Sequence, residues 1–241
     1  PALDAGDGTL HLLTLDMADA AAIEAAVPQA FELAGGRLDV IVNNAGYGLL
    51  GALADASDDQ MEQLFTVDVF GPVRLIRAAL PALRAQRSGH ILNITSIAGR
   101  APGVGSALYA AAKHALEGLS ASLSQELAPV GIKVTAVAPG AFRTDFLSDH
   151  SIRRSEGAAE HYGENLGRSL QALDAMAGKQ QGDPIRAAEA ILEIVDAETP
   201  PLHLLLGPDA LRRARAKLDT VIDEMDRWEG LTLGTDFPEG E

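Results

Sequence analysis

An α/β domain with helices on both faces of a parallel sheet is the fold this sequence predicts, and three observations carry the prediction. Short apolar runs of strand length alternate with longer stretches of helical period. The connections are short and rich in turn residues, as strand–helix–strand crossovers require. A chain of 241 residues with 47% hydrophobic content can bury one large core, so a single domain over residues 1–241 is expected.

The elements follow in order. Thr9–Leu15 alternates weakly and ends in Asp16, the pattern of a strand. Ala20–Leu33 reads as a helix, interrupted near Pro28. Asp39–Val42 is a short apolar strand that runs into Asn43-Asn44-Ala45-Gly46. Asp58–Arg87 carries Met61, Leu64, Phe65, Val69, Val73, Ile76 and Leu80 at helical spacing, with a kink expected at Gly71-Pro72. Ile91–Ser96 alternates as a strand, Gly99, Pro102, Gly103 and Gly105 mark a loop, and the alanine-rich stretch Leu108–Leu127 is a helix. The strand Ile132–Val137 leads into Pro139-Gly140-Ala141-Phe142-Arg143-Thr144. A long polar segment runs from Phe146 to Gly182, and Asp183-Pro184 opens a helix as an N-cap followed by proline. Pro201–Leu206 is a last short strand. Asp209–Trp228 is an amphipathic helix with Leu211, Leu218, Val221, Ile222 and Met225 on one stripe, and the tail Gly234–Glu241 is expected to fray. Asp16, Asn44, Ser96 and Phe142 all fall at strand carboxyl ends, where ligands bind in sheets of this kind.

Composition narrows the function. The chain has no cysteine, which removes disulfides, thiol nucleophiles and thiolate metal sites and is compatible with the reducing cytoplasm, the compartment expected here. A formal charge of −15 argues against nucleic acid or an anionic membrane as partner. No apolar run approaches membrane-spanning length. The histidines form no pair at metal-ligand spacing, so no metal is expected.

The chemistry concentrates in NITSIAGRAPGVGSALYAAAK. Tyr109 and Lys113 are i and i+4 on one helix, so their side chains share a face. A phenol with a pKa of about 10 is a poor base. An ammonium roughly 4–5 Å away, at an effective dielectric near 20, favours the phenolate by about 3–4 kcal/mol before screening. Two or more pKa units of depression is the upper estimate, enough for general acid/base work. Ser96, closing the preceding strand, supplies a hydroxyl for the same substrate oxygen. The set suits moving a proton on and off a carbonyl or alcohol.

Through NNAG, ITS, YAAAK and PGAFRT, in this order and spacing, residues 9–210 resemble the classical short-chain dehydrogenase/reductases. The resemblance implies a Rossmann-like sheet and an oxidoreductase that uses NAD or NADP to interconvert a secondary alcohol and a ketone or aldehyde. It makes Tyr109 the proton donor and acceptor, gives Lys113 the nicotinamide ribose, and has Ser96 orient the substrate. It implies that Asn44, Ala45 and Gly46 approach the adenosine ribose and that Asp16 and Met17 contact adenine. Pro139, Gly140, Phe142 and Thr144 are to pack along the nicotinamide and reach the phosphate. Asp16 and Thr144 also read as helix caps. The segment 146–182 matches the substrate cover, and a homodimer or homotetramer is implied, pairing through Asp58–Arg87 and Leu108–Leu127.

Two departures stand out. No glycine-rich dinucleotide turn occurs between a strand and a helix, and the chain opens Pro1-Ala2-Leu3 without methionine. About forty further residues, with the family's first two strands, are expected upstream, and a form without them should bind the cofactor weakly. The second departure is Asp68, in TVDVFG, where the family's fourth catalytic residue is asparagine. Within reach of Lys113, its carboxylate would partly neutralise the ammonium and weaken the pull on Tyr109; facing solvent, it would matter little. These departures also allow a second reading, a catalytically silent member acting as a binding or scaffold module.

Overall fold

The computed structural model describes residues 8–148, 150–155, 157, 162 and 164–237. Its strands are β1 (Val40–Asn43), β2 (Gly48–Leu50), β3 (Gly89–Ile94), β4 (Ile132–Pro139), β5 (Ile152–Arg154) and β6 (His203–Leu206). Its α-helices are α1 (Ala20–Leu33), α2 (Asp58–Phe65), α3 (Gly71–Gln86), α4 (Ala107–Leu127), α5 (Glu164–Met176), α6 (Pro184–Asp196) and α7 (Pro208–Leu233). β1, β3, β4 and β6 form a parallel sheet in that order, and β2 pairs with β5 in a second, two-stranded parallel sheet.

β3 and β4 are central and buried on both sides, which is why they read as near-continuous apolar runs. Successive residues point to opposite layers. Ile91 packs with Phe31, Ile76, Leu83 and Leu127 from α1, α3 and α4. Leu92 packs with Val137, Leu206 and Ile191, against α6 on the other face. The expected doubly wound arrangement is therefore present.

Several expectations are corrected. Thr9–Leu15 is not a strand, and Leu10, Leu12 and Leu13 are 47, 77 and 39% exposed. A strand needs a neighbour for its N–H and C=O groups, and among the described residues none lies beside it. The outer edge of β1 is likewise without a neighbour, leaving Val42 half exposed. Pro28 does not interrupt α1, because Ile23, Val27 and Phe31 bury one face while the proline faces solvent. Asp58–Gln86 is continuously helical, as expected, and its irregularity is a π-turn that ends at Gly71-Pro72. α2, opened by a Ser57–Gln60 capping box, passes through a π-helical turn at Thr66–Phe70 into α3. The β2–β5 pair went unforeseen because three-residue strands carry no legible period. The segment 146–182 contains α5, whose Leu166 is buried beside Gly105. The end of the Gly234–Glu241 tail lies outside the described residues.

Candidate active site

The carboxyl end of β3 delivers Ser96 to the start of a 3-10 turn at Ile97–Gly99, where its Oγ accepts from Ala98 N (3.1 Å). A Cβ on Gly99 would sit 2.9 Å from the backbone of Lys113, so only glycine lets this turn lie flat on α4. Tyr109, in the first turn of α4, and Lys113, one turn on, are both buried. Lys113 Nζ donates to Ile94 O (3.3 Å), lies 5.7 Å from the Tyr109 ring centroid and forms an ion pair with Asp68 Oδ2 (3.2 Å). Ser96, Tyr109, Lys113 and Asp68 lie together beyond the carboxyl edge of the sheet.

Asp68 is fully buried within the π-turn. The widened turn points both Asp68 and Val69 inward. Pro72 has no N–H, so the Asp68 carbonyl lacks its α-helical partner. Oδ1 accepts from Tyr47 N (3.0 Å), and a Cβ on Gly46 would lie 2.9 Å from Oδ2. Gly46 is thus required for the seating of Asp68, a role its motif did not announce.

Burial pushes the Asp68 carboxyl above its ordinary range, against the pull of Lys113 and the Tyr47 N–H. Burial also pushes the Tyr109 phenol up; Lys113 and the nearby Ser96 hydroxyl act downward, and Asp68 adds to the rise. The net depression of Tyr109 expected from Lys113 is therefore corrected. Desolvation outweighs one ammonium whose charge is shared with a carboxylate.

Several other contributors escaped the sequence reasoning. Glu117, buried and one turn beyond Lys113, accepts from Thr95 Oγ1 (2.5 Å) and pairs with Arg100 Nη2 (3.0 Å). Thr95 and Arg100 bracket the Ser96 turn, so Glu117 ties both ends of that turn to α4. Its spacing, i+4 from Lys113 and i+8 from Tyr109, was the available signal. Asn43 Nδ2 donates to Asn93 Oδ1 (2.8 Å), Asn93 Nδ2 to Ser120 Oγ (2.9 Å), and Ser120 Oγ to Leu116 O (2.7 Å). This buried chain locks β1, β3 and α4 together. The Phe146 ring lies against Tyr109 (5.8 Å between centroids), and Arg153 stacks on Tyr47 at 4.6 Å.

The residues assigned to a cofactor by resemblance are more dispersed. Asp16 Oδ1 accepts from Ala18 N (2.8 Å), and the helix cap is Asp19, not Asp16. The Met17 carbonyl lies against Gly71 at the start of α3. Asn44 and Ala45 are exposed beyond β1. Pro139 ends β4, and Ala141 N, next to Gly140, donates to Asp209 Oδ2 (2.9 Å). The partly buried Phe142 side chain packs beside Gly182 and Gly207. Thr144 caps the turn Asp145–Leu147 and lines a cleft of about 460 Å³ with Leu147, Ser148 and Pro184. Among the described residues there is no cluster of three potential metal ligands and no helix long and apolar enough to cross a membrane.

A parallel α/β sheet with serine, tyrosine and lysine gathered beyond its carboxyl edge defines a Rossmann-like protein. Residues 2–155 match the family model described as short chain dehydrogenase, and the chain belongs to that family of enzymes. A 3-ketodihydrosphingosine reductase from Bacteroides thetaiotaomicron is 34% identical over 204 residues, 83% of this chain and 74% of that protein. The crystal structure of a short-chain dehydrogenase from Streptomyces avermitilis is 41% identical with a TM-score of 0.86, over 93% of this chain and 80% of that one. A structure of ElxO with NADP bound is 25% identical with a TM-score of 0.64, over 82% and 77% of the two chains.

Proposed function

We propose that this NAD(P)-dependent oxidoreductase interconverts a secondary alcohol and a ketone or aldehyde, with Tyr109 as acid and base. The observation that carries this reading is the position of Lys113 Nζ, held by Ile94 O and Asp68 beside the Tyr109 ring. An ammonium has three donors, and two are engaged, so one remains for a ribose hydroxyl. These groups fit the nicotinamide half of a dinucleotide, as does the relation to ElxO, which binds NADP.

When bound, the nicotinamide would supply or accept the hydride. Ser96 and Tyr109 hydrogen-bond the substrate oxygen and hold its carbon toward the ring. In reduction the Tyr109 O–H gives its proton to the developing alkoxide; in oxidation the phenolate takes it back. Phe146 and the segment 146–182 cover the substrate and exclude water. The relation to a 3-ketodihydrosphingosine reductase favours a ketone as the carbonyl partner. The ion pair with Asp68 weakens Lys113 and so slows this chemistry without removing it.

Tyr109→Phe keeps the ring against Phe146 and deletes the ionisable oxygen. In the protein expressed from its full coding sequence it should abolish turnover while NADH or NADPH binding by calorimetry stays nearly unchanged. Retention of more than a few per cent of the rate on the best substrate would overturn the assignment.

A further inference from the structure

Helix α7 runs well past the body that anchors it. Ala210 and Ala214 are buried against Ile97, Ala101 and Leu205, yet no residue from Arg215 to Leu233 is buried. That leaves about 28 Å of helix free at 1.5 Å per residue. Leu211, Ala214, Leu218, Val221, Met225 and Trp228 follow alternating steps of three and four, an a/d heptad seam. The body covers only the start of the seam. Beyond it Leu218, Ile222, Met225 and Trp228 are 61, 49, 58 and 59% exposed.

The charges on α7 are segregated. Arg212, Arg213, Arg215 and Lys217 cluster toward its start, while Asp219, Asp223, Glu224, Asp226 and Glu229 follow them, with Asp209 and Arg227 the exceptions. A parallel pair of such helices would set base against base and place Glu224 beside Glu229 of the partner subunit. An antiparallel pair replaces that double repulsion by two contacts of Arg215 with Glu229 of the partner subunit, against a single contact of Glu224 with Glu224 of the partner subunit. The acidic flank and the net charge of −15 disfavour an anionic bilayer as the covering surface.

We propose that α7 is a self-association surface, through which two copies of this chain pair antiparallel about a two-fold axis. In the register that matches a to d positions, Leu218 meets Trp228 of the partner subunit and Val221 meets Met225 of the partner subunit. Ile222 lies near Ile222 of the partner subunit, and Arg215 flanks Glu229 of the partner subunit. The contact is isologous, so it closes as a dimer and does not propagate. It is independent of the catalytic assignment.

Trp228 is the single tryptophan and reports on this contact alone. Sedimentation of the purified chain should give twice the monomer mass at about 50 µM, with Trp228 emission moving to the blue as concentration rises. Arg215→Glu and Glu229→Arg should each raise the dimer dissociation constant at least about tenfold, and the double exchange should restore it to within about threefold. Both sites are exposed, and circular dichroism checks that folding is unchanged. A monomer at that concentration, a dimer indifferent to all three variants, or a blue shift that appears only with anionic vesicles would each overturn the proposal.

Discussion

Lys113 Nζ and Asp68 Oδ2 form an ion pair 3.2 Å long, with the two side chains 6% and 0% exposed. The charge that should activate Tyr109 is therefore shared, inside the protein, with a carboxylate that has little other compensation. Asp68 is also the position at which the sequence resemblance implies an asparagine.

Asp68→Asn should restore the full charge of Lys113 and favour the Tyr109 phenolate. The midpoint of the pH–rate profile for alcohol oxidation should then fall by about one unit. The two donors address different oxygens of Asp68, and asparagine keeps an oxygen in only one of those places, so stability should fall by roughly 1–3 kcal/mol. Because burial raises the Asp68 pKa, wild-type stability is lost as pH rises through that raised value, and the variant's deficit should shrink in parallel. A pH–rate profile identical to wild type would mean that the Asp68 charge does not reach the phenol.

Glu117→Gln should loosen the Ser96 turn by removing the counter-charge of Arg100 and weakening the hold on Thr95. Glu117 is a positioning residue, so kcat should fall about tenfold with little change in KM for the cofactor or in the shape of the pH profile. A shift in the pH profile equal to that of Asp68→Asn would reassign Glu117 to the electrostatics of Tyr109.

His90 should make the fold sensitive to acid. Thr135 Oγ1 donates its only proton to Pro201 O (2.7 Å), so His90 Nε2 is the donor across the 2.9 Å contact with Thr135, and the bare Nδ1 is buried without a partner. Burial first and Lys133 second lower the His90 pKa to about 4. The unfolded chain takes up this proton below about 6.5, the folded chain only near 4, so the stabilisation is complete above 6.5 and lost as pH falls through that window. In urea titrations from pH 7 to 4.5, the stability difference between wild type and His90→Gln should change in favour of the variant. A difference independent of pH would exclude His90 as the source.

Leu92→Ala should cost about 2–5 kcal/mol, since Leu92 is fully buried between Val137, Leu206 and α6, in a central strand that cannot collapse. Val42→Ala, at the open edge of β1, should cost less than about 1 kcal/mol. Equal midpoints in chemical denaturation would contradict the assignment of β3 to the centre and β1 to the edge.

The alternation of elements, the parallel sheet, and the shared helix face of Tyr109 and Lys113 were legible in the residues alone. These are local or periodic properties: two residues four apart on a helix meet whatever surrounds them, and strands buried on both faces read as apolar runs. Tertiary structure decided what that face encounters. Only folding buries Tyr109, which turns the expected fall in its pKa into a rise, and only folding brings Asp68, from a separate helix, onto Lys113, which adds to that rise. Folding also denied Thr9–Leu15 its strand, because alternation cannot provide the neighbour that its backbone hydrogen bonds need. It joined β2 to β5 and Glu117 to Thr95 across separations that no local pattern records. Desolvation and strand pairing depend on what lies alongside in space, and that information is spread over the whole chain.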